Sequence, residues 1–215
     1  MVYLEIVNRV LKLLREDTVA TVADDDAVVQ LIATYVNDAK TQVENSFHFN
    51  ALRHEWNETI RAGEDYCVLT DSGVLPVIEE VWGDNGLQLR EISQRELRKF
   101  KRITSPATNA NPDYYAVDGA VGGDLRVRVH PAPQADYEVE VVGYRKQDDL
   151  VNDSDKLLVP SLPVVYFAYA LAARERGEVG GQTAAEIFGM ANEYLKNAIA
   201  QDAALNNYEQ NWWVN

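Results

Sequence analysis

The feature that most constrains the fold is a change in the period of the apolar residues along the chain. At both ends they recur every three or four positions, the spacing of one face of a helix. Between His54 and Arg145 they instead alternate with polar residues in short runs broken by Gly, Pro, Asn and Asp. Segments of the first kind bury a stripe and those of the second bury one face of a sheet, so one chain must build two kinds of core.

Val2 to Arg15 places Ile6, Val10 and Leu13 on one line, with Val7, Leu11 and Leu14 beside it. Asp24, Asp25 and Asp26 then supply carboxylates suited to the start of a second helix, along which Val28, Ile32, Tyr35, Ala39, Val43 and Phe47 repeat. Near the other end, Ser161 is placed to cap a helix running to about Glu178 and interrupted early by Pro163. Gly177, Gly180 and Gly181 close that helix. Thr183 starts a last one with Ile187, Ala191, Tyr194, Leu195, Ala198 and Ala203 on its stripe. The short glycine turn predicts that these two helices lie antiparallel.

Within the middle region, Val77 to Trp82 and Leu87 to Ile92 flank Gly83, Asp84, Asn85 and Gly86, which predicts a hairpin. Ser93 and Glu96 form a capping-box pattern for a short helix through Leu97 to Phe100. Leu125, Val127 and Val129 alternate with Arg126, Arg128 and His130. Beyond the corner at Pro131, Ala132 and Pro133, Tyr137, Val139 and Val141 alternate with Glu138 and Glu140. Two adjacent strands are expected there, and if they pair, arginines meet glutamates on one face.

Helices at both ends and strands between them, without alternation of the two, predict an α+β chain. The expected organisation is an antiparallel helical bundle from residues 1–53 and 156–205, an inserted β-rich lobe at 54–155, and an extended C-terminal tail at 206–215.

Signs of bond-making chemistry are sparse. Cys67 is the only cysteine, which excludes an intrachain disulfide and a thiolate zinc cluster and suits synthesis in a reducing cytoplasm. His48, His54 and His130 are scattered, and the run from Asp118 to Asp124 has glycines but no following Gly-Lys-Ser or Gly-Lys-Thr, so a hairpin loop fits it better than a phosphate cradle. Glu79, Glu80 and Asp65 are the carboxylates an acid–base pair in the lobe would draw on; a solvated face explains them as well. No cofactor and no metal are expected, and no enzymatic activity. Met1 to Asp17 is charged throughout, unlike a signal peptide or membrane span. A formal net charge of -14 argues against sequence-reading nucleic-acid binding, which needs Lys and Arg clustered on one face, but suits a wall that a polyanion slides past.

After Leu205 come helix-disfavouring asparagines and then Trp212 and Trp213. Adjacent tryptophans either fold back onto the chain's own core or serve as an aromatic anchor in a partner's pocket.

Two N-terminal helices, a strand region containing Pro112 to Gly119 and Leu125 to Pro133, and an aromatic, alanine-rich helix pair from Pro160 to Leu205 together resemble the adaptor (head-tail connector) proteins of tailed bacteriophages. The plan is also similar to the tail tubular proteins of short-tailed phages. That resemblance implies a structural virion protein of the neck, assembled in the host cytoplasm and free of membrane. It further implies a ring of twelve copies that docks on the portal protein, receives a tail or nozzle protein, and lets the genome pass through its lumen during DNA ejection without specific binding. The family's portal-reaching C-terminal extension maps here onto Tyr208, Trp212, Trp213 and Val214. A tail-completion or nozzle-side protein is the alternative of the same kind, and a small carboxylate-dependent hydrolase the alternative of another.

Overall fold

The computed structural model describes residues 1–23, 26–70, 76–103, 111–175 and 182–205. In chain order the elements are α1 (Tyr3–Leu13), α2 (Ala27–Ser46), β1 (Arg53–Ile60), β2 (Tyr66–Leu69), β3 (Val77–Gly83), β4 (Arg90–Glu91), α3 (Gln94–Ile103), β5 (Tyr114–Val121), β6 (Asp124–His130), β7 (Tyr137–Tyr144), α4 (Ser161–Glu175) and α5 (Gln182–Leu205). The fold is mixed α+β, with five α-helices and two sheets among the described residues. The chain divides into two compact units, Met1–Leu52 with Gln147–Asn215, and Arg53–Lys146.

In the helical unit, α4 packs against α1, α2 and α5. Val164, Val165, Phe167, Ala168, Ala170, Ala172 and Ala173 are all buried, so this helix is apolar around most of its circumference, as a central helix must be. Pro163 does not interrupt it. α4 begins at Ser161, and a proline in the first turn lacks only an N–H that has no intrahelical acceptor. Asp26 caps α2, its carboxylate accepting from the Val28 N–H at 2.7 Å. The buried stripe of α2 is rotated from the expected one. Val29, Ile32, Ala33, Val36, Ala39 and Val43 face inward, whereas Val28 is exposed.

Lys40 and Glu44 join that buried face. The Lys40 ammonium donates to the carbonyls of Gln147 at 2.6 Å and Asp148 at 3.1 Å, and lies 3.7 Å from both Glu44 and Asp149. Asn37 makes a two-way contact with Leu150, donating to its carbonyl at 3.1 Å and accepting from its N–H at 2.9 Å. These bonds bind the polar stretch that follows β7 to the helices.

The strand unit holds a three-stranded sheet in the order β1-β7-β3 and a four-stranded sheet in the order β2-β6-β5-β4. Their inward residues form one core that includes Trp56, Ile60, Leu69, Val81, Val127, Val129, Val139 and Val141. The two strands expected to be neighbours fall in different sheets: β6 pairs with β2 and β5, and β7 with β1 and β3. The corner at Pro131–Pro133 carries the chain across the core between them, and two of its three residues lack a ladder N–H. In the three-stranded sheet Arg53, which opens β1, stands opposite Tyr144, which closes β7.

The expected hairpin at Gly83–Gly86 is present as a turn, closed by hydrogen bonds from Gly83 N to Leu87 O at 3.0 Å and from Leu89 N to Val81 O at 2.8 Å. Its second arm then departs. Leu89 is buried in the shared core, and only Arg90 and Glu91 remain extended, pairing in parallel with β5 of the other sheet. The glycine run at 118–124 is the β5–β6 hairpin, with Gly122 and Gly123 both at positive φ in a tight two-residue turn.

Candidate functional site

Helix α3 lies on the outer face of the four-stranded sheet, and its sequence explains how. Ser93 and Glu96 form the expected capping box: the Ser93 hydroxyl accepts from the Glu96 N–H at 3.2 Å, and the Glu96 carboxylate accepts from the Ser93 N–H at 3.0 Å. The Ser93 hydroxyl also donates to that carboxylate at 2.8 Å, and this bond, with the one from the Ser93 N–H, holds the Glu96 carboxyl below its usual range. Leu97 is buried, Phe100 stacks on Tyr114 and His130 at centroid distances of 5.3 and 5.9 Å, and Gln94 donates to the Val117 carbonyl at 2.8 Å.

Beneath the helix lies a charged network. Asp65 pairs with Lys101 and, at 3.2 Å, with Arg128; Asp118 pairs with Arg128 and, at 2.6 Å, with Arg126. The Arg128 guanidinium, with Arg126 beside it, holds the Asp118 carboxyl below the usual carboxylate range. Burial, with Arg128 adding repulsion, pulls Lys101 down from its ordinary value although Asp118 opposes the shift. Burial and the Lys101 charge likewise lower His130, which keeps that imidazole neutral at pH 7. The β6 arginines are therefore neutralised by Asp65 and Asp118 on their own sheet, and do not meet Glu138 and Glu140 of β7.

The opposite side of α3 is different. Arg95, Arg98, Lys99 and Arg102 fall at positions i, i+3, i+4 and i+7, all exposed, and among the described residues none is in an ion pair. Five of the chain's 20 Lys and Arg, and one of its 34 Asp and Glu, lie in this helix, which leaves 15 against 33 elsewhere. The sequence reading names no cluster of cations on one face. The cluster exists, and the helical spacing of those four residues was the signal that would have found it.

Across the shared core, the outer face of the three-stranded sheet is acidic. Glu138 and Glu140 project from β7 between the buried Tyr137, Val139 and Val141, with Thr59 and Asn57 of β1 as their cross-strand neighbours. With Asp84 they line a groove of about 460 Å³.

The carboxylates considered for acid–base work are dispersed. Glu79 is 3.8 Å from Arg53, Glu80 accepts from the Trp82 indole at 2.8 Å, and Asp65 belongs to the network under α3. His54 packs edge-on against Trp56, remote in role from the stacked His130. Cys67 is buried, which pushes its thiol up to about 12 and keeps it protonated. Among the described residues, no group of three or more His, Cys, Asp or Glu side chains is placed to hold a metal ion, and no helix is long and apolar enough to cross a membrane. Tyr208, Trp212, Trp213 and Val214, like Asp24, Asp25 and the glycine turn at 177–181, lie outside the described residues.

The arrangement is thus one of oppositely charged faces on either side of a packed core. No curated protein matches the chain. A family described as SU10 adaptor protein matches residues 1–211, and the resemblance to phage adaptors seen in the helix–strand–helix plan therefore holds along nearly the whole length: the chain belongs to the SU10 adaptor protein family.

Proposed function

We propose that this protein is a structural head-to-tail adaptor of a phage virion, which forms a ring on the portal, extends the DNA channel and receives tail or nozzle components. The observation that carries the reading is the family match over residues 1–211. In this reading residues 1–53 and 156–205 form an antiparallel helical bundle that serves as the scaffold, with the lobe at 54–155 as an insertion. Twelve copies close a ring through unlike faces, the geometry of heterologous contacts related by rotation. The net charge of -14 supports weak adhesion of the wall to a passing genome.

The C-terminal tail at 206–215 is the proposed anchor, with Tyr208, Trp212, Trp213 and Val214 entering a pocket of the portal. Large aromatic side chains at a chain end supply concentrated apolar area to an interface. Removing the residues after Asn207 is expected to leave thermal unfolding unchanged and to abolish co-sedimentation with the portal protein of the same phage. Binding that survives the truncation, or a truncated chain that unfolds, excludes the anchor. Electron micrographs of the full chain mixed with that portal are expected to show one ring seated on another.

A further inference from the structure

We infer that the basic face of α3 docks on the acidic outer face of the three-stranded sheet of a second copy of this chain. The inference rests on the ring reading above and names the surfaces that would close it.

Arg95, Arg98, Lys99 and Arg102 form two like-charged pairs at i,i+4 and two at i,i+3. Like charges at that spacing repel and destabilise a helix. Solubility does not require that cost, since the remainder of the chain already carries an excess of carboxylates. An opposing anionic surface turns the repulsion into attraction.

The same unit displays that surface. Glu138 and Glu140 stand on the sheet that faces away from α3 across one core, and with Asp84 they border the groove of about 460 Å³. A positive face and a negative face on opposite sides of one body cannot meet within a molecule. They meet between copies, and each copy then offers the next a fresh pair, as a head-to-tail ring requires.

The test is sedimentation equilibrium of the full chain and two double reversals, Arg95→Glu with Arg98→Glu, and Glu138→Lys with Glu140→Lys. Each reversal is expected to weaken self-association by roughly tenfold or more at low salt. An equimolar mixture of the two is expected to recover it in part, because the introduced glutamates then face the introduced lysines. Thermal melts, with the milder Arg95→Gln and Arg98→Gln pair, check that the fold is retained. If both reversals associate as the parent does, the docking assignment fails and the ring reading stands. A parent that stays monomeric at every concentration and salt level removes the docking assignment, and the ring reading is then decided by the mixture with portal. If the α3 reversal leaves association intact but abolishes binding to a short DNA duplex, the face serves nucleic acid, and the inference is wrong.

Discussion

In the helical unit Lys40 and Glu44 are almost wholly enclosed, whereas in the strand unit the cations of α3 and the carboxylates of β7 project into solvent. The two regions use the same side-chain chemistry in opposite ways. Lys40 gathers the carbonyls of Gln147 and Asp148 and fastens a polar connector to α2, and its value is internal. Arg95, Arg98, Lys99 and Arg102 fasten nothing among the described residues. Between these extremes stands the network under α3, where Arg126, Arg128 and Lys101 are consumed by Asp65 and Asp118. Charge thus stabilises where it is enclosed and matched, and remains available for partners where it is not.

Replacing Lys40 breaks the comparison most severely. Lys40→Met leaves Glu44 buried without its ammonium and two carbonyls without their donor, and is expected to cost about 3–5 kcal/mol in denaturant unfolding. Adding Glu44→Leu is expected to restore part of the loss, because an apolar pair of similar volume tolerates burial better than a carboxylate deprived of its ammonium. If Lys40→Met melts like the parent, the contrast between the units disappears.

A smaller effect is expected in the network under α3. Asp118→Asn removes the negative charge shared by Arg126 and Arg128 and one of the two acceptor oxygens, at a cost of about 1–2 kcal/mol. Since the folded Asp118 carboxyl lies below its unfolded value, its stabilisation is complete above about pH 4 and is lost as pH falls through the folded value. The melting temperatures of parent and variant should therefore differ at neutral pH and converge as pH falls through the folded value. The smallest change is Ser93→Ala, which removes the cap of α3 at about 1 kcal/mol. With the Ser93 hydroxyl gone, the Glu96 carboxyl should titrate at a higher pH, which carbon-detected NMR can follow.

Much of the architecture was legible because periodicity reports which face of an element is buried. Ile6, Val10 and Leu11 on α1, Ile187 and Ala191 on α5, and the alternation in β6 and β7 all lie inside as their spacing predicts. Neighbours were not legible. Alternation tells that Val127 and Val139 point inward but not that a proline corner sends their strands to different sheets, nor that Arg90 and Glu91 pair in parallel with β5. Long-range pairing depends on the whole core, which no local window contains. Lys40 was missed for a related reason: its burial depends on carbonyls more than a hundred positions away. The α3 face was hidden by averaging, because a strongly negative total conceals a locally positive helix.

The opposition of Arg53 and Tyr144 carries a consequence for how such a chain can change. A segment that departs and returns at a single seam can be shortened, enlarged or exchanged while the framework that carries it keeps its own register. The helices then act as a chassis and the strands as a cartridge. A lineage built on this plan can alter what its cartridge touches without rebuilding what holds it.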